Sequence, residues 1–404
     1  MTPYLLIQAA GAACSAQYAL LEEALAASGV RCRDIHQQVM VGRTVLMLLV
    51  ERSDEALTAE QLQRRLAPVF EKAALICTVE AVDDAQWEQW TQRAAVDRLI
   101  MTVMGPALAP QALAQAERLA HQHGLATVSV ERRSRLSTAA QPNSMGECVQ
   151  FTLQGELTTM VPLRHAALAL GQVHGVDVVF QPDDEWRHRR RLVCFDMDST
   201  LIKAEVIDEL AKRHGVGKQV ADITVRSMHG ELDFAQSFAQ RVAMLKGLDS
   251  AVIQDIADHL PLMDGATLLF SELKRLGYRT AILSGGFTCF AQALQERLGI
   301  DEVHTNTLDI DAAGKVTGRV ISPLLDAQRK ADILRHIAVR EGIALAQTVA
   351  VGDGANDLNM LDAAGLGVAW HAKPKVKLQA RQSVSTLGLD ALLYLLGHKA
   401  RPRP

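Results

Sequence analysis

Three short apolar runs, each stopping abruptly at polar residues, constrain the fold of this chain more than any other feature. They are Leu192-Val-Cys-Phe195 before Asp196-Met-Asp198, Thr280-Ala-Ile-Leu283 before Ser284-Gly-Gly286, and Thr348-Val-Ala-Val351 before Gly352-Asp-Gly-Ala-Asn-Asp357. Helical patterns separate them, and strands alternating with helices imply an open parallel α/β sheet. In such a sheet, ligands gather at the carboxyl ends of the strands, where these polar residues lie. In an extended chain Asp196 and Asp198 emerge on one side and Met197 on the other. Adjacent carboxylates repel unless a cation or shared proton intervenes, so this corner suggests a hard metal ion and phosphate. An isolated Asp-x-Asp is as readily an acidic turn, but here two further motifs accompany it. Gly352 and Gly354 allow close backbone approach around Asp353. Lys330, near the start of a predicted helix, adds a cation, with Arg329 as its competitor in register. Asp326 and Asp332 read as helix-end residues.

The interval from Asp196 to Ser284 is far longer than an ordinary connection and reads mostly as helix. Patterns over 204–213, 216–228, 234–245 and 250–259 fit a small helical cap inserted after the first strand, able to exclude water and read a leaving group. The first half carries a weak internal repeat, with Tyr4-Leu-Leu-Ile-Gln-Ala-Ala-Gly11 set against Arg98-Leu-Ile-Met-Thr-Val-Met-Gly105. Each copy continues as helix, strand, strand, helix, strand, which predicts two βαββαβ modules of ferredoxin-like topology. Gly29 and Gly124 are expected helix C-caps. The expected division is 1–90, 96–182 and 190–400, with the cap over 202–264. Ser134 to Gly146 is expected to be a loop, and Gln181 to Arg190 the best boundary. The basic run Arg187-His-Arg-Arg-Arg191 reads as a solvated linker.

A chain of 404 residues suggests two or three domains. With 49% hydrophobic and 22% charged residues and a formal charge of −4, it has the composition of a soluble globular protein and no general attraction to nucleic acid. It shows no basic leader and no apolar run of the roughly 18 residues a membrane helix needs, so a cytoplasmic protein is expected. The six cysteines (Cys14, Cys32, Cys77, Cys148, Cys194 and Cys289) lack Cys-x-x-Cys spacing and read as free thiols. Cys194 and Cys289 read as small buried apolar residues rather than nucleophiles.

With all four motifs in order, the stretch from about Leu192 to Leu396 resembles the haloacid dehalogenase superfamily. Asp-Met-Asp-Ser-Thr-Leu201, Ser284-Gly-Gly-Phe287 and Gly352-Asp-Gly-Ala-Asn-Asp357 most closely resemble its phosphoserine phosphatase family. The resemblance implies magnesium-dependent hydrolysis of O-phospho-L-serine. Asp196 would be the nucleophile and Asp198 the general acid and base. Asp196, the Asp198 main-chain carbonyl and Asp353 would hold Mg2+, with Asn356 and Asp357 ordering that shell. Ser284, Gly285 and Lys330 would bind phosphate. In the cap, Glu205 would meet the substrate ammonium and Arg241 its carboxylate, with Met228 and Phe234 as an apolar wall. The tandem modules look like ACT-type domains, implying a homodimer and, in some relatives, amino-acid sensing. The Gly-rich first loop of a serine-binding ACT domain is degraded here to Ala9-Ala-Gly-Ala-Ala13 and Met104-Gly-Pro-Ala107, which favours assembly over L-serine sensing. Two other readings stay open: a phosphotransferase to another alcohol such as homoserine, and a serine sensor with a weak phosphatase half.

Overall fold

The computed structural model describes residues 2–13, 17–92, 98–135, 145–156, 159–229, 231–321 and 323–399. The chain separates into two compact units, Met1–Val96 and Asp97–Pro404.

In the first unit, β1 (Tyr4–Ala12), α1 (Gln17–Ala27), β2 (Val30–Met40), β3 (Arg43–Arg52), α2 (Ala59–Lys72) and β4 (Leu75–Ala81) are followed by α3 (Asp84–Gln92). The antiparallel sheet has the order β2-β3-β1-β4, the ferredoxin-like arrangement expected from the repeat. Alternation decides which face is buried. Leu5 and Ile7 of β1 and Leu46, Leu48 and Val50 of β3 pack with Leu62, Leu66 and Phe70 of α2. Thr58 and Gln61 form a capping box that starts α2. On the other face Val45 and Met47 are exposed, as is Ile35 of β2. Helix α3 was not expected from the sequence, because two tryptophans three residues apart make a sparse stripe. Its Trp87 stacks on Tyr4 with ring centroids 3.7 Å apart.

The second unit opens with β5 (Arg98–Gly105), α4 (Pro110–Gln122), β6 (Ala126–Arg132), β7 (Glu147–Gln154), α5 (Val161–His174) and β8 (Asp177–Pro182). Their sheet order, β6-β7-β5-β8, repeats that of the first module. Most of the loop expected over 134–146, and Cys14, lie outside the described residues. The chain then enters β9 (Leu192–Phe195) and five helices: α6 (Val206–His214), α7 (Gly217–Met228), α8 (Phe234–Ala243), α9 (Ser250–Asp258) and α10 (Ala266–Arg275). Next come β10 (Arg279–Phe287), α11 (Thr288–Leu298), β11 (Glu302–Ile310), β12 (Val316–Ile321) and α12 (Ala327–Arg340). The last elements are β13 (Thr348–Gly352), α13 (Leu358–Ala363), β14 (Leu366–Trp370), α14 (Pro374–Gln379), β15 (Gln382–Val384) and α15 (Leu392–Leu395).

These strands form one sheet, β12-β11-β10-β9-β13-β14-β15, parallel except for β12. Strand β9 lies at its centre and is buried on both faces. Val193 and Phe195 join the cluster containing Phe270 and Phe290, whereas Leu192 and Cys194 join Leu334, Ile337 and Met360. Burial also pushes the Cys194 thiol well up, so this residue behaves as an apolar one. No helix among the described residues is long and apolar enough to cross a membrane.

In the second module β5, β7 and β8 are mostly buried on both faces, unlike the first module's sheet, while the edge strand β6 is exposed. Met104, Cys148 and Val179 share a core cluster with Val384, Leu387 and Leu392 of the parallel-sheet region. Gln150 is the polar centre of this contact. Its amide donates to Thr102 Oγ1 and Tyr394 O, both at 3.0 Å, and its carbonyl accepts from Arg133 Nε at 2.7 Å and Arg187 Nη2 at 2.9 Å. The expected solvated linker is corrected here: Arg187 and Arg190 are only 2% and 8% exposed. Arg187 is held by Gln150, and Arg190 donates to Ala346 O. A run of arginines reads as surface from composition alone, but guanidinium groups can be buried when carbonyls meet them.

Asp177 makes a second polar latch, accepting at 2.9 Å from the amides of Ser385 and Thr386 and at 2.7 Å from Thr386 Oγ1. Asp177→Ala would leave these donors unmatched in a site where Asp177 itself is 8% exposed. The expected loss is about 2–4 kcal/mol in urea unfolding of the full chain; a change under about 0.5 kcal/mol would remove the latch from the stability of this unit.

Candidate active site

Sheet topology brings three motifs together because β9 lies between β10 and β13, so their carboxyl ends are adjacent. The Asp196 amide donates to Val351 O at 2.9 Å, continuing the β9 to β13 pairing by one residue. The chain then leaves the strand in a tight turn. Met197 O accepts amides from Thr200, Leu201 and Ile202, and Ser199 takes a positive φ of 55°. Such a conformation costs a non-glycine residue energy and is held here by the surrounding bonds. The period-two expectation therefore needs correction. What changes is the backbone: Asp198 lies in the turn, past the strand, while still close enough to Asp196 and Lys330 to feel both charges.

Asp196 is 4% exposed and lies with Asp353 and Asp357 in a cluster whose carboxylate oxygens are all within 4.8 Å of one another. Lys330 Nζ reaches Asp196 Oδ1 at 2.9 Å and Asp357 Oδ1 at 2.6 Å. The register competitor, Arg329, is exposed, and Asp326 caps α12 by accepting from the Arg329 amide at 2.9 Å. Asp332 contacts Gln328 and Arg335 on the helix surface. Burial opposes the charge of Lys330, but Asp196 and Asp357 outweigh it and hold the ammonium protonated. Asp353 is pushed up to about 7 by burial and by the charges of Asp196, Asp357 and Glu205. Asp357 is also raised, by burial and Asp196 against the pull of Lys330. An all-oxygen set of crowded carboxylates suits a hard divalent cation, which would relieve their repulsion.

Asp198 accepts from the Val206 amide, the first of α6, at 3.2 Å. Burial, then Glu205 and Asp196, raise its carboxyl well above the usual range, against the pull of the Val206 amide and Lys330. Ser284, 1% exposed, accepts from the Gly286 amide at 3.1 Å through its Oγ, leaving the hydroxyl proton to donate elsewhere. A Cβ on Gly286 would lie 2.4 Å from Met197 Cε and 3.1 Å from Asp198 Oδ2, so only glycine fits between the two motifs. At Gly285 a Cβ would be 3.8 Å from the Phe234 ring, which brings this cap residue over the Ser-Gly-Gly turn. Phe234 also stacks on Phe238 at 5.9 Å.

Cap residues complete the cleft. Ser199 Oγ donates to Glu205 Oε1 at 2.8 Å, and the Glu205 carboxyl is raised by displaced water despite that bond. Arg241 is half-buried, and its Nε is buried with no hydrogen-bond partner among the described residues. Burial lowers its proton affinity, while Asp208, Glu205 and Asp198 restore it. Asn356 approaches Asp357 at 3.4 Å. Met228 ends α7, and its side chain is outside those described.

Sequence reasoning missed Asn306. This residue of β11 is 1% exposed, donates to Gly285 O and accepts from the Leu325 amide, both at 2.8 Å. It thereby ties the Ser-Gly-Gly turn to the segment preceding α12. An asparagine inside a strand was the available signal, since Asn is depleted there. Thr200, which donates to Asp353 Oδ1 at 3.2 Å, was also missed.

A family model for haloacid dehalogenase-like hydrolases matches residues 190–365. A phosphoserine phosphatase of Streptomyces coelicolor is 39% identical over 378 residues, covering 93% of this chain and 88% of that protein. One from Mycobacterium tuberculosis is 37% identical, covering 93% and 89%. Among solved structures, a probable phosphoserine phosphatase from Vibrio cholerae, in unliganded form, superposes with a TM-score of 0.58 at 35% identity, covering 74% of this chain and 86% of that one. Similarity at this level across nearly the whole sequence, including both N-terminal modules, means that the chain belongs to the phosphoserine phosphatase family of haloacid dehalogenase-like hydrolases.

Proposed function

We propose that this enzyme hydrolyses O-phospho-L-serine to L-serine and inorganic phosphate, the last step of L-serine biosynthesis in its family. The observation that carries the chemistry is the contrast between two acids separated by one residue: Asp196 is paired with Lys330 at 2.9 Å, whereas Asp198 meets the Val206 amide at the start of the cap and is pushed toward its protonated form by burial. An Asp196 oxygen attacks phosphorus as the bond to the serine oxygen breaks, and Asp198 gives that oxygen its proton. Asp198, now ionised, takes a proton from water as the water oxygen attacks the aspartyl phosphate. The bond to Asp196 breaks and phosphate leaves. Lys330 and the Ser284 hydroxyl offset charge on the phosphoryl oxygens, with the Gly285 amide as a further donor.

The residues that would hold Mg2+ are Asp196, the Asp198 main-chain carbonyl and Asp353, with Asn356 and Asp357 adjoining. Bound there, it supplies positive charge toward the phosphoryl group. In the cap, Glu205 takes the substrate ammonium and Arg241, with its unmatched Nε, takes the carboxylate. Phe234 forms the apolar wall. We divide the chain at 1–90, 96–182 and 190–400, with the cap over 202–264. We assign the ACT-like modules to homodimer assembly rather than to L-serine sensing. The exposed Ile35, Val45 and Met47 of the first module support this. A cytoplasmic location accords with the biosynthetic role.

Phosphate release from O-phospho-L-serine, phosphothreonine, phosphoethanolamine and an aryl phosphate, with magnesium and with EDTA, tests the assignment. Magnesium-dependent preference for phosphoserine is expected, and equal turnover of the panel would overturn the substrate. Asp196→Asn is expected to fold normally and lose at least about 1,000-fold in kcat; appreciable turnover would remove it as nucleophile. Arg241→Ala is expected to cost roughly 10- to 100-fold in kcat/KM on phosphoserine and much less on an aryl phosphate. Equal losses on both would argue against carboxylate recognition.

The raised Asp353 gives a pH prediction. Its folded value of about 7 lies above the ordinary carboxylate range. The metal-free fold therefore keeps a proton that the unfolded chain has released, and stability falls as pH rises from about 4 to about 7. Magnesium should reverse that loss, raising Tm more at about pH 8 than at about pH 5. A larger gain at the lower pH would contradict the crowded-carboxylate account.

A further inference from the structure

A second cleft, away from the catalytic one, opens between α5 of the second module and the α14 and β15 edge of the parallel sheet. Its volume is about 80 Å³, and Arg164, His165, Lys377, Arg381 and Ser383 supply most of its polar lining. One water needs about 10–15 Å³ on this scale, so the space admits a phosphate-sized group. Both walls are cationic: Arg164 and His165 come from the second module, Lys377 and Arg381 from the catalytic region. Arg164 Nε and Ser383 Oγ are buried with no hydrogen-bond partner among the described residues. Buried donors in that state are uncommon in native structures and call for an acceptor.

The fold adds positive potential. Val161, the first residue of α5, lines the cleft; its amide already donates to Thr159 Oγ1 at 3.3 Å and Pro162 has no N–H, so the helix end contributes through its dipole. Nearby carboxylates offset the cations in part: Arg381 pairs with Asp362 at 3.7 Å and its Nη2 donates to Asp362 O at 3.4 Å, and Lys377 acts on Asp177. Asp177 is itself engaged by Ser385 and Thr386. The proton affinity of Arg164 is depressed chiefly by burial and further by the neighbouring Arg381, with Asp362 opposing.

We propose that this cleft binds a small tetrahedral oxyanion of the phosphate class, held by Arg164, Arg381 and Lys377 with the Ser383 hydroxyl donating. Because the ligand bridges residues of both parts, its binding stabilises the docked state of the second module on the catalytic sheet. The site stands on its own geometry and does not depend on the substrate assigned to the catalytic cleft.

Calorimetric titration of the full chain with inorganic phosphate, against chloride at matched ionic strength, tests the proposal. Two phosphates per chain are expected, one of them lost in Lys330→Ala. The other should weaken by about tenfold or more in Arg164→Gln and in Lys377→Glu, with phosphoserine turnover at low phosphate unchanged in both. A single phosphate in the wild-type chain that disappears with Lys330→Ala would overturn the site, as would two phosphates retained undiminished in both cleft variants. Should Arg164→Gln fail to fold, Lys377→Glu, on a half-buried helix position, decides the matter alone.

Discussion

A single buried ammonium holds the catalytic region together. Lys330, 1% exposed, bridges the acid that ends β9 and the acid that follows β13, and so fixes α12 against both strands. Burial alone would strip the lysine of its proton, and Asp196 and Asp357 together keep it charged. Breaking such a pair by removing one partner typically costs about 3–5 kcal/mol, because the remaining charge is left uncompensated. The glycines follow from the same constraint. A Cβ on Gly352 would lie 2.5 Å from the Asp357 carboxylate, and one on Gly354 would lie 2.1 Å from Asn356 Oδ1. The acids can approach the strand end only where the backbone carries no side chain.

The two N-terminal modules share one topology, and burial separates them. Strand β3 alternates buried and exposed residues through its first half, whereas β5 is buried along nearly its whole length. The cause is the covering of the second sheet by Val384, Leu387 and Leu392, with Gln150, Arg187 and Asp177 supplying the polar contacts. Polar groups bonded across an apolar contact fix its register, since any shift strands several donors at once.

Much of the catalytic fold was legible because its signals are local. Strand ends carrying acids, glycines beside them and helical periodicity in the cap all sit within a few residues. The ferredoxin-like modules were legible through their repeat. Tertiary contacts were not. Arg187 and Arg190 look like surface residues until the carbonyls that accept from them are in place, and Asn306 acquires meaning only when β11 is set beside the Ser-Gly-Gly turn. Lys330 could have been separated from Arg329 by spacing alone. It shares the buried stripe of α12 with Leu334 and Ile337, a pattern that excludes its neighbour. The turn after β9 shows the limit of strand periodicity: alternation ends where the strand does, and Asp198 lies beyond that point.

The bond from the Val206 amide to Asp198 joins the proton carrier to the first turn of the cap. That amide favours the ionised acid, whereas Glu205, one residue before it, favours the protonated form. Lifting α6 removes both influences together, so the position of the lid and the proton occupancy of Asp198 are linked variables, each biasing the other in equal measure. The cap thereby acts as a counterpart in the acid-base equilibrium as well as a cover over the cleft.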